Sequence, residues 1–216
     1  MDMTVTAVES YPKGKGRVAI YLNDEFAFVL YKGELSQYGI EVGTVVDDEL
    51  YERILDETLC KRAKKRAMNL LKSMDRTEAD VRGKLREGGY PEEAVDAAID
   101  YVKSYHYIDD LRYAGEYIRI RSDSMSRKMI ANKLRAKGIT SSVIEEAFKN
   151  HDESCEEDGI HNEEELIRKL IARKCHFGPG QSEYEVRQKL FTYLYGKGFS
   201  ISLIERVYNE YMDEMS

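Results

Sequence analysis

The sequence predicts a mainly α protein, three tandem three-helix repeats preceded by a small N-terminal β-meander, and three observations carry that prediction. One pattern recurs three times: an apolar residue, a Leu four positions on, a Gly four further, then at once a large apolar residue. It reads Val81-Leu85-Gly89-Tyr90, Ile130-Leu134-Gly138-Ile139 and Leu190-Leu194-Gly198-Phe199, and such self-similarity marks a repeat architecture. After each Gly-apolar pair a second periodic run follows in register, with Val95/Ala98/Ile99, Ile144/Ala147/Phe148 and Ile204/Val207/Tyr208. The first 46 residues instead alternate with period two, the mark of strands.

The N-terminal elements follow from that alternation. Val18, Ile20 and Leu22 form one run and Phe26, Phe28 and Leu30 another, with Asn23-Asp24 as hairpin residues between them. Thr4 to Ser10 is a third strand, joined through the Lys13-Gly14-Lys15-Gly16 turn, which yields a three-stranded meander with one apolar face. Lys13, Lys15 and Arg17 read as a solvated hairpin tip in preference to a nucleic-acid contact. Thr44-Val45-Val46 can add a short strand. Asp47 or Asp48 then caps a helix whose apolar Leu50, Ile54, Leu55 and Leu59 run without a breaker into Ala63, Ala67 and Leu70, bolting the β unit to the first repeat.

In each repeat the i, i+4 spacing makes a one-striped helix, the Gly supplies the left-handed residue that ends it, and the next large residue packs back. A further helix precedes each pair. Its apolar positions are Ala63, Ala67, Leu70, Leu71 and Met74 in the first repeat, Tyr113, Ala114, Tyr117 and Ile118 in the second, and Leu166, Ile167, Leu170 and Ile171 in the third. The predicted organisation is a β-meander over 1–46, linking helix and first repeat over 47–108, second repeat over 109–150, an acidic linker over 151–164 and the third repeat over 165–216. Within the linker, 151–163 reads as exposed and mobile, and the Phe177-Gly178-Pro179-Gly180 turn holds further extra length. Acids at helix starts read as caps: Asp109-Asp110 before a helix starting at Leu111, Thr77-Glu78-Ala79-Asp80, and the full capping box Ser182-Glu183-Tyr184-Glu185.

Composition removes several function classes. No apolar stretch approaches the ~20 residues that span a bilayer, and no basic-then-apolar leader opens the chain, so a cytoplasmic protein without membrane attachment is expected. Cys60, Cys155 and Cys175 form no CxxC pair, and His151, Cys155, His161, Cys175 and His176 lack structural-zinc spacing, so neither metal nor cofactor is expected. Nucleotide-binding and common hydrolase motifs are missing, which predicts a protein that is not an enzyme.

Charge is segregated. Residues 1–59 carry 5 basic and 12 acidic residues, 60–150 carry 20 and 14, and 151–216 carry 8 and 14, so the overall −7 conceals a basic middle. An anionic partner senses that local surplus within a Debye length of ~8–10 Å. Basic residues and tyrosines recur at matched repeat positions: Lys84, Lys133 and Tyr193 before the central Leu; Arg86, Arg135 and Tyr195 after it; Gly88, Lys137 and Lys197 before the terminal Gly. Lys61, Arg62, Lys64, Lys65 and Arg66 add charge in the first repeat, and Arg112, Arg119, Arg121, Arg127 and Lys128 in the second. Cations spaced along a repeat array, with Tyr to stack, suit a helical polyanion or a nucleoprotein groove. A helix-turn-helix transcription factor is disfavoured, because the would-be recognition helices open on Glu92-Glu93, Glu145-Glu146 and Glu205. A non-catalytic α-repeat module for nucleic acid or protein remains open.

Three segments together resemble the RecX family: Asp109-Asp110-Leu111-Arg112-Tyr113-Ala114, Lys133-Leu134-Arg135-Ala136-Lys137-Gly138-Ile139 and Tyr193-Leu194-Tyr195-Gly196-Lys197-Gly198-Phe199-Ser200. The likeness covers roughly residues 60–210 and, more loosely, the strand-rich N-terminal segment. It implies a cytoplasmic bacterial regulator, monomeric and without cofactor or catalytic activity. Such a protein binds the RecA filament on single-stranded DNA, with weak direct DNA binding, and restrains it, affecting DNA repair and the SOS response. The candidate contact residues are Lys84, Arg86, Arg112, Arg119, Arg121, Arg127, Lys128, Lys133, Arg135, Lys137, Tyr193, Tyr195 and Lys197.

Overall fold

Alternating apolar residues near the N-terminus form strands β1 (Met3–Ser10), β2 (Arg17–Leu22) and β3 (Glu25–Tyr31), and β4 (Val45–Val46) adds to them. The structure is a computed structural model describing residues 3–12, 14–154, 163–174 and 182–215. The sheet is antiparallel with order β3-β2-β1-β4, so the short strand extends the expected meander to four strands. Asn23 and Asp24 take φ of 51° and 69°, positive at both central residues as a type I′ hairpin requires.

Two expectations for this region change. The second sheet face is not solvated where Ala19 and Val29 lie buried, because the turn after the first repeat's central helix docks there. Val29 N–H on the edge strand donates to the Gly89 carbonyl at 3.1 Å, and the Val29 carbonyl accepts from Arg62 Nη2 at 2.6 Å. Both outward edge groups are thereby satisfied and the edge is covered. Arg17 is not part of a solvated tip: its guanidinium donates to the Gly88 carbonyl and lies 4.9 Å from the Tyr11 ring centroid. Lys13 lies outside the described residues.

A short helix, α1 (Lys32–Tyr38), follows β3 and was not predicted; seven residues including Gly33 are too few to show a period. Glu34 accepts from the Tyr31 amide at 2.7 Å, and Gly39 ends the helix at φ 64°. Asp47 caps α2 (Asp48–Ile54) by accepting from the Leu50 amide at 2.8 Å. A π-helical turn over Leu55–Cys60 continues without a break into α3 (Lys61–Leu71). Buried Ile54/Leu55 and Leu59/Cys60 stand five apart, the spacing that i→i+5 bonding brings to one face. Met74, predicted inward on this helix, is 57% exposed, since α3 stops at Leu71 where Ser73 Oγ and Arg76 Nε donate to the Leu70 carbonyl.

The remaining helices are α4 (Glu78–Arg86) and α5 (Glu92–Ser104), then α6 (Asp110–Arg121), α7 (Arg127–Ala136) and α8 (Ser141–Ser154), then α9 (Glu163–Lys174), α10 (Glu183–Gly196) and α11 (Ile201–Met215). They complete three three-helix repeats that follow the sheet along the chain, so the protein is mainly α with a small N-terminal β element. α6 begins at Asp110, one residue before the predicted Leu111. The three turn glycines adopt φ of 78°, 82° and 94° at Gly89, Gly138 and Gly198. In each turn the next residue's amide bonds back five positions, Tyr90 to Leu85, Ile139 to Leu134 and Phe199 to Leu194, closing a Schellman motif. Thr77 and Ser182 cap α4 and α10 as read, Ser182 with the full box to Glu185.

Residues 151–154 belong to the last turn of α8 and not to a linker. Helix persists because Asp152 is held by Arg127, and Lys149 pairs with Glu153 one turn on. At its other end Glu163 and Glu164 open α9 and are not linker either; the rest of the predicted linker, 155–162, and the Phe177-Gly178-Pro179-Gly180 turn lie outside the described residues, as do Cys155, His161, Cys175 and His176.

The chain divides into two compact units, Met1–Asp109 and Asp110–Ser216. In the first, the sheet and the first repeat share one apolar core from Val5 to Ile108. In the second, repeats two and three keep separate cores, around Ile118/Ile130/Leu134 and Ile171/Leu194/Phe199. Repeat three joins repeat two where the Ser126 amide donates to the Lys197 carbonyl at 3.0 Å. No helix among the described residues is long and apolar enough to cross a membrane.

Candidate polyanion-binding surface

Each central helix buries the stripe given by its central Leu and the apolar residue four before it, which leaves Arg86, Lys133, Arg135 and Tyr195 beside that Leu exposed and Lys84 and Tyr193 half-buried, Tyr193 against the core of its repeat. Charge alone does not make those residues equivalent. What decides is whether a carboxylate lies within reach.

In repeat one it does. Arg86 grips Glu92 with two bonds, Nε to Oε1 at 2.6 Å and Nη2 to Oε2 at 2.8 Å. The hydrogen bond holds Arg86 above and Glu92 below their ordinary ranges. Lys84 lies 3.4 Å from Glu87, and Arg82 bridges Glu78 and Asp96. Burial pushes Glu78 up, but its hydrogen bonds from Lys103 and Arg82 win, so it titrates below the ordinary glutamate range.

Repeat two differs at the matched position. Arg135, the counterpart of Arg86, meets Ser141 Oγ at 3.3 Å and Asn132 Oδ1 at 3.0 Å, both uncharged. Ser141 stands six residues after Arg135, as Glu92 stands six after Arg86. The same geometry therefore ends on a hydroxyl instead of a carboxylate, and among the described residues no carboxylate neutralises the guanidinium. Lys128 and Lys133 are exposed and make no ion pair among the described residues. Lys128, Asn132 and Arg135 follow i, i+4, i+7 spacing along the face of α7 opposite buried Ile130 and Leu134, while Lys133 lies to one side in a row with Lys137. Lys137 Nζ lies 5.5 Å from the Tyr113 ring centroid and Arg121 5.9 Å from that of Tyr117, so these cations rest on half-buried rings of α6.

The remaining candidates are not brought to this face as open cations. Arg119 is bound to Glu116 Oε2 through Nε and Nη2 at 3.1 and 2.7 Å, which lowers the Glu116 carboxyl. Arg127 donates to both Asp152 oxygens at 3.1 and 2.8 Å and covers the Phe148 ring at 4.1 Å, so it staples α7 to the end of α8. Arg112 is exposed on α6. In repeat three Tyr193 is flanked by Lys174 and Lys197, whose Nζ atoms lie 4.8 and 5.4 Å from its centroid. Tyr195, the counterpart of Arg86 and Arg135, is 62% exposed, and Ile201, six residues on, is 55% exposed. One position thus carries an ion pair, an unneutralised guanidinium and an aromatic side chain in successive repeats. The signal for this was in the sequence, at the residue six further along, outside the motif that defines the repeat.

Family models match the N-terminal segment and each of the three repeats. The model of the regulatory protein RecX N-terminal domain matches residues 3–47, and those of the first, second and third RecX three-helix domains match 63–101, 109–147 and 162–208. The regulatory protein RecX of Clostridium acetobutylicum is 30% identical over 99% of this chain and 98% of its own. That of Clostridioides difficile is 26% identical over 97% and 96%. Among solved structures, one described as regulatory protein RecX aligns with a TM-score of 0.57 at 29% identity over 96% of this chain and 99% of its own. RecX from Lactobacillus salivarius aligns with a TM-score of 0.52 at 25% identity over 71% and 96%.

Proposed function

Because the chain belongs to the RecX family of regulatory proteins, we propose that it acts in the bacterial cytoplasm by binding the RecA filament on single-stranded DNA and restraining its ATP hydrolysis and strand exchange. It acts by occupancy, as a monomer, without chemistry of its own, and so limits recombinational repair and the SOS response. The observation that supports a polyanionic, nucleoprotein target is the contrast between repeats: α7 presents Lys128, Lys133 and Arg135 without carboxylate partners among the described residues, whereas Arg86 and Lys84 of α4 are paired with Glu92 and Glu87. Exposed Tyr195 and Ile201 in repeat three add an apolar contact suited to the protein part of such a target.

The test combines Lys128→Glu, Lys133→Glu and Arg135→Glu in one variant, with Glu145→Lys and Glu146→Lys as the opposite-face control. Cosedimentation with RecA preassembled on single-stranded DNA should be lost in the first and kept in the second, while helical content stays near wild type because none of these side chains enters the core. RecA ATP hydrolysis should fall with wild-type protein and recover with the first variant. Retained filament binding by the charge-reversed α7 would refute this surface, and loss in the Glu variant alone would favour a protein adaptor using α8.

A further inference from the structure

Helix α3 and the Lys72 that caps its C-terminus carry six cations and no carboxylate. Arg62 is taken up by Glu34 at 2.6 Å and by the sheet edge, but Lys61, Lys64, Lys65, Arg66 and Lys72 make no ion pair among the described residues. That contrasts with α4 in the same repeat, where Arg82, Lys84 and Arg86 are all paired. α5 packs alongside α3, and there Lys64 Nζ lies 5.6 Å from the Tyr101 ring centroid.

Tyr101 opens a row of three exposed rings. Tyr105 follows one turn later, 5.1 Å away centroid to centroid, and Tyr107 stacks on Tyr105 at 5.9 Å with an interplanar angle of 20°. The rings are 37%, 57% and 46% exposed. The backbone arranges this: α5 ends in a Schellman-type closure, with the Tyr107 amide donating to the Val102 carbonyl and His106, φ 55°, in the left-handed place usually held by Gly. A non-glycine residue takes that conformation uncommonly, and here it turns Tyr107 back onto Tyr105.

We propose that Tyr101, Tyr105 and Tyr107, with the open cations of α3, form a base-stacking site for single-stranded nucleic acid, separate from the α7 face. Ammonium and guanidinium groups attract phosphate without regard to sequence, and exposed ring faces accept unstacked bases; together these are the two components of single-strand binding. A duplex hides its base faces in its own stack, so the rings select single strands. Asp100 and Asp109 are the acids nearest the rings in sequence, and the five open cations outnumber them. The site deepens the filament reading by giving the protein its own hold on the DNA strand, but bare-strand binding stands or falls independently of RecA.

The test uses the full chain and a fluorescent oligothymidylate. Tyr105→Ala and Tyr107→Ala should each weaken binding by about 5- to 100-fold, while Tyr105→Phe, which keeps the ring, should stay within about threefold of wild type. Combined Lys61→Gln, Lys64→Gln and Lys65→Gln should reduce the slope of log affinity against log salt by about 2. Irradiation with a 5-bromouracil oligonucleotide should crosslink the peptide holding residues 101–107, a readout that does not depend on any variant folding. Unchanged affinity in the Ala variants, a crosslink elsewhere, or equal affinity for duplex would each overturn the site. Loss of RecA-filament binding with bare-strand affinity intact would make the row a protein contact and overturn it too. Bare-strand binding through these rings without any filament binding would support the site and refute the proposed function.

Discussion

Gly43 and Gly198 have nearly the same positive φ, 93° and 94°, and differ in what surrounds them. A Cβ at Gly43 meets nothing within 4 Å, whereas at Gly198 it would stand 2.5 Å from Ser126 Oγ and 2.6 Å from Met129 Cβ. Gly43→Ala should therefore cost about 1 kcal/mol, the penalty of left-handed backbone alone. Gly198→Ala should cost about 2–4 kcal/mol, since overpacking against the start of α7 is added. Denaturant melts of the two variants check the difference, and equal losses would mean repeat three is not seated on α7. Glu78 gives a pH test. Its carboxyl titrates below the ordinary value in the folded chain because of Lys103 and Arg82, so it adds stability above the ordinary glutamate range of about 4.3 and loses it as pH falls through its folded value. Stability measured downward from pH 6 should decline less steeply in Glu78→Gln than in wild type.

At the scale of elements, the edge of β3 is closed by one residue from another element on each side: the Gly89 carbonyl receives Val29 N–H and Arg62 Nη2 reaches the Val29 carbonyl. Arg62 also pairs with Glu34 and lies 5.0 and 5.7 Å from the Tyr31 and Tyr90 ring centroids. Arg62→Ala strands the carbonyl of buried Val29 and the largely covered Glu34 carboxylate, and should destabilise the first unit by about 1–3 kcal/mol. Hydrogen exchange at the β3 amides should accelerate before that of α5, and uniform acceleration would show that the sheet and repeat unfold together whatever holds the edge. Apolar spacing predicted the α2 to α3 connection, but the i→i+5 turn within it appears only once the paired buried residues at 54/55 and 59/60 are seen on one face.

For the whole molecule, function depends on which cations remain open, and a single exchange between repeats tests that. Ser141→Glu places in repeat two the carboxylate that Glu92 supplies in repeat one; it should neutralise Arg135 and weaken filament binding by about 3- to 30-fold without loss of melting temperature, since exposed pairs contribute about 0.2–1 kcal/mol. Glu92→Ser should release Arg86 and strengthen binding or leave it unchanged. Weaker binding in Glu92→Ser would show that Arg86 acts through its pair with Glu92.

The amino-acid sequence by itself determined the class of fold, the three Gly turns, the caps at Thr77 and Ser182 and the buried stripes, because each depends on residues a few positions apart, and it narrowed the cap of α2 to Asp47 or Asp48. It also marked α7 as basic. It did not separate Arg135 from Arg86 or Arg127, nor show that Arg17 is docked on Gly88, nor place Tyr105 against Tyr107 through a left-handed His106. The ring contact rests on a left-handed residue that the side-chain pattern does not mark, and the other outcomes rest on distances between different helices, strands and turns. Whether a cation is neutralised is a matter of a few ångströms across that gap, and only the tertiary structure closes it.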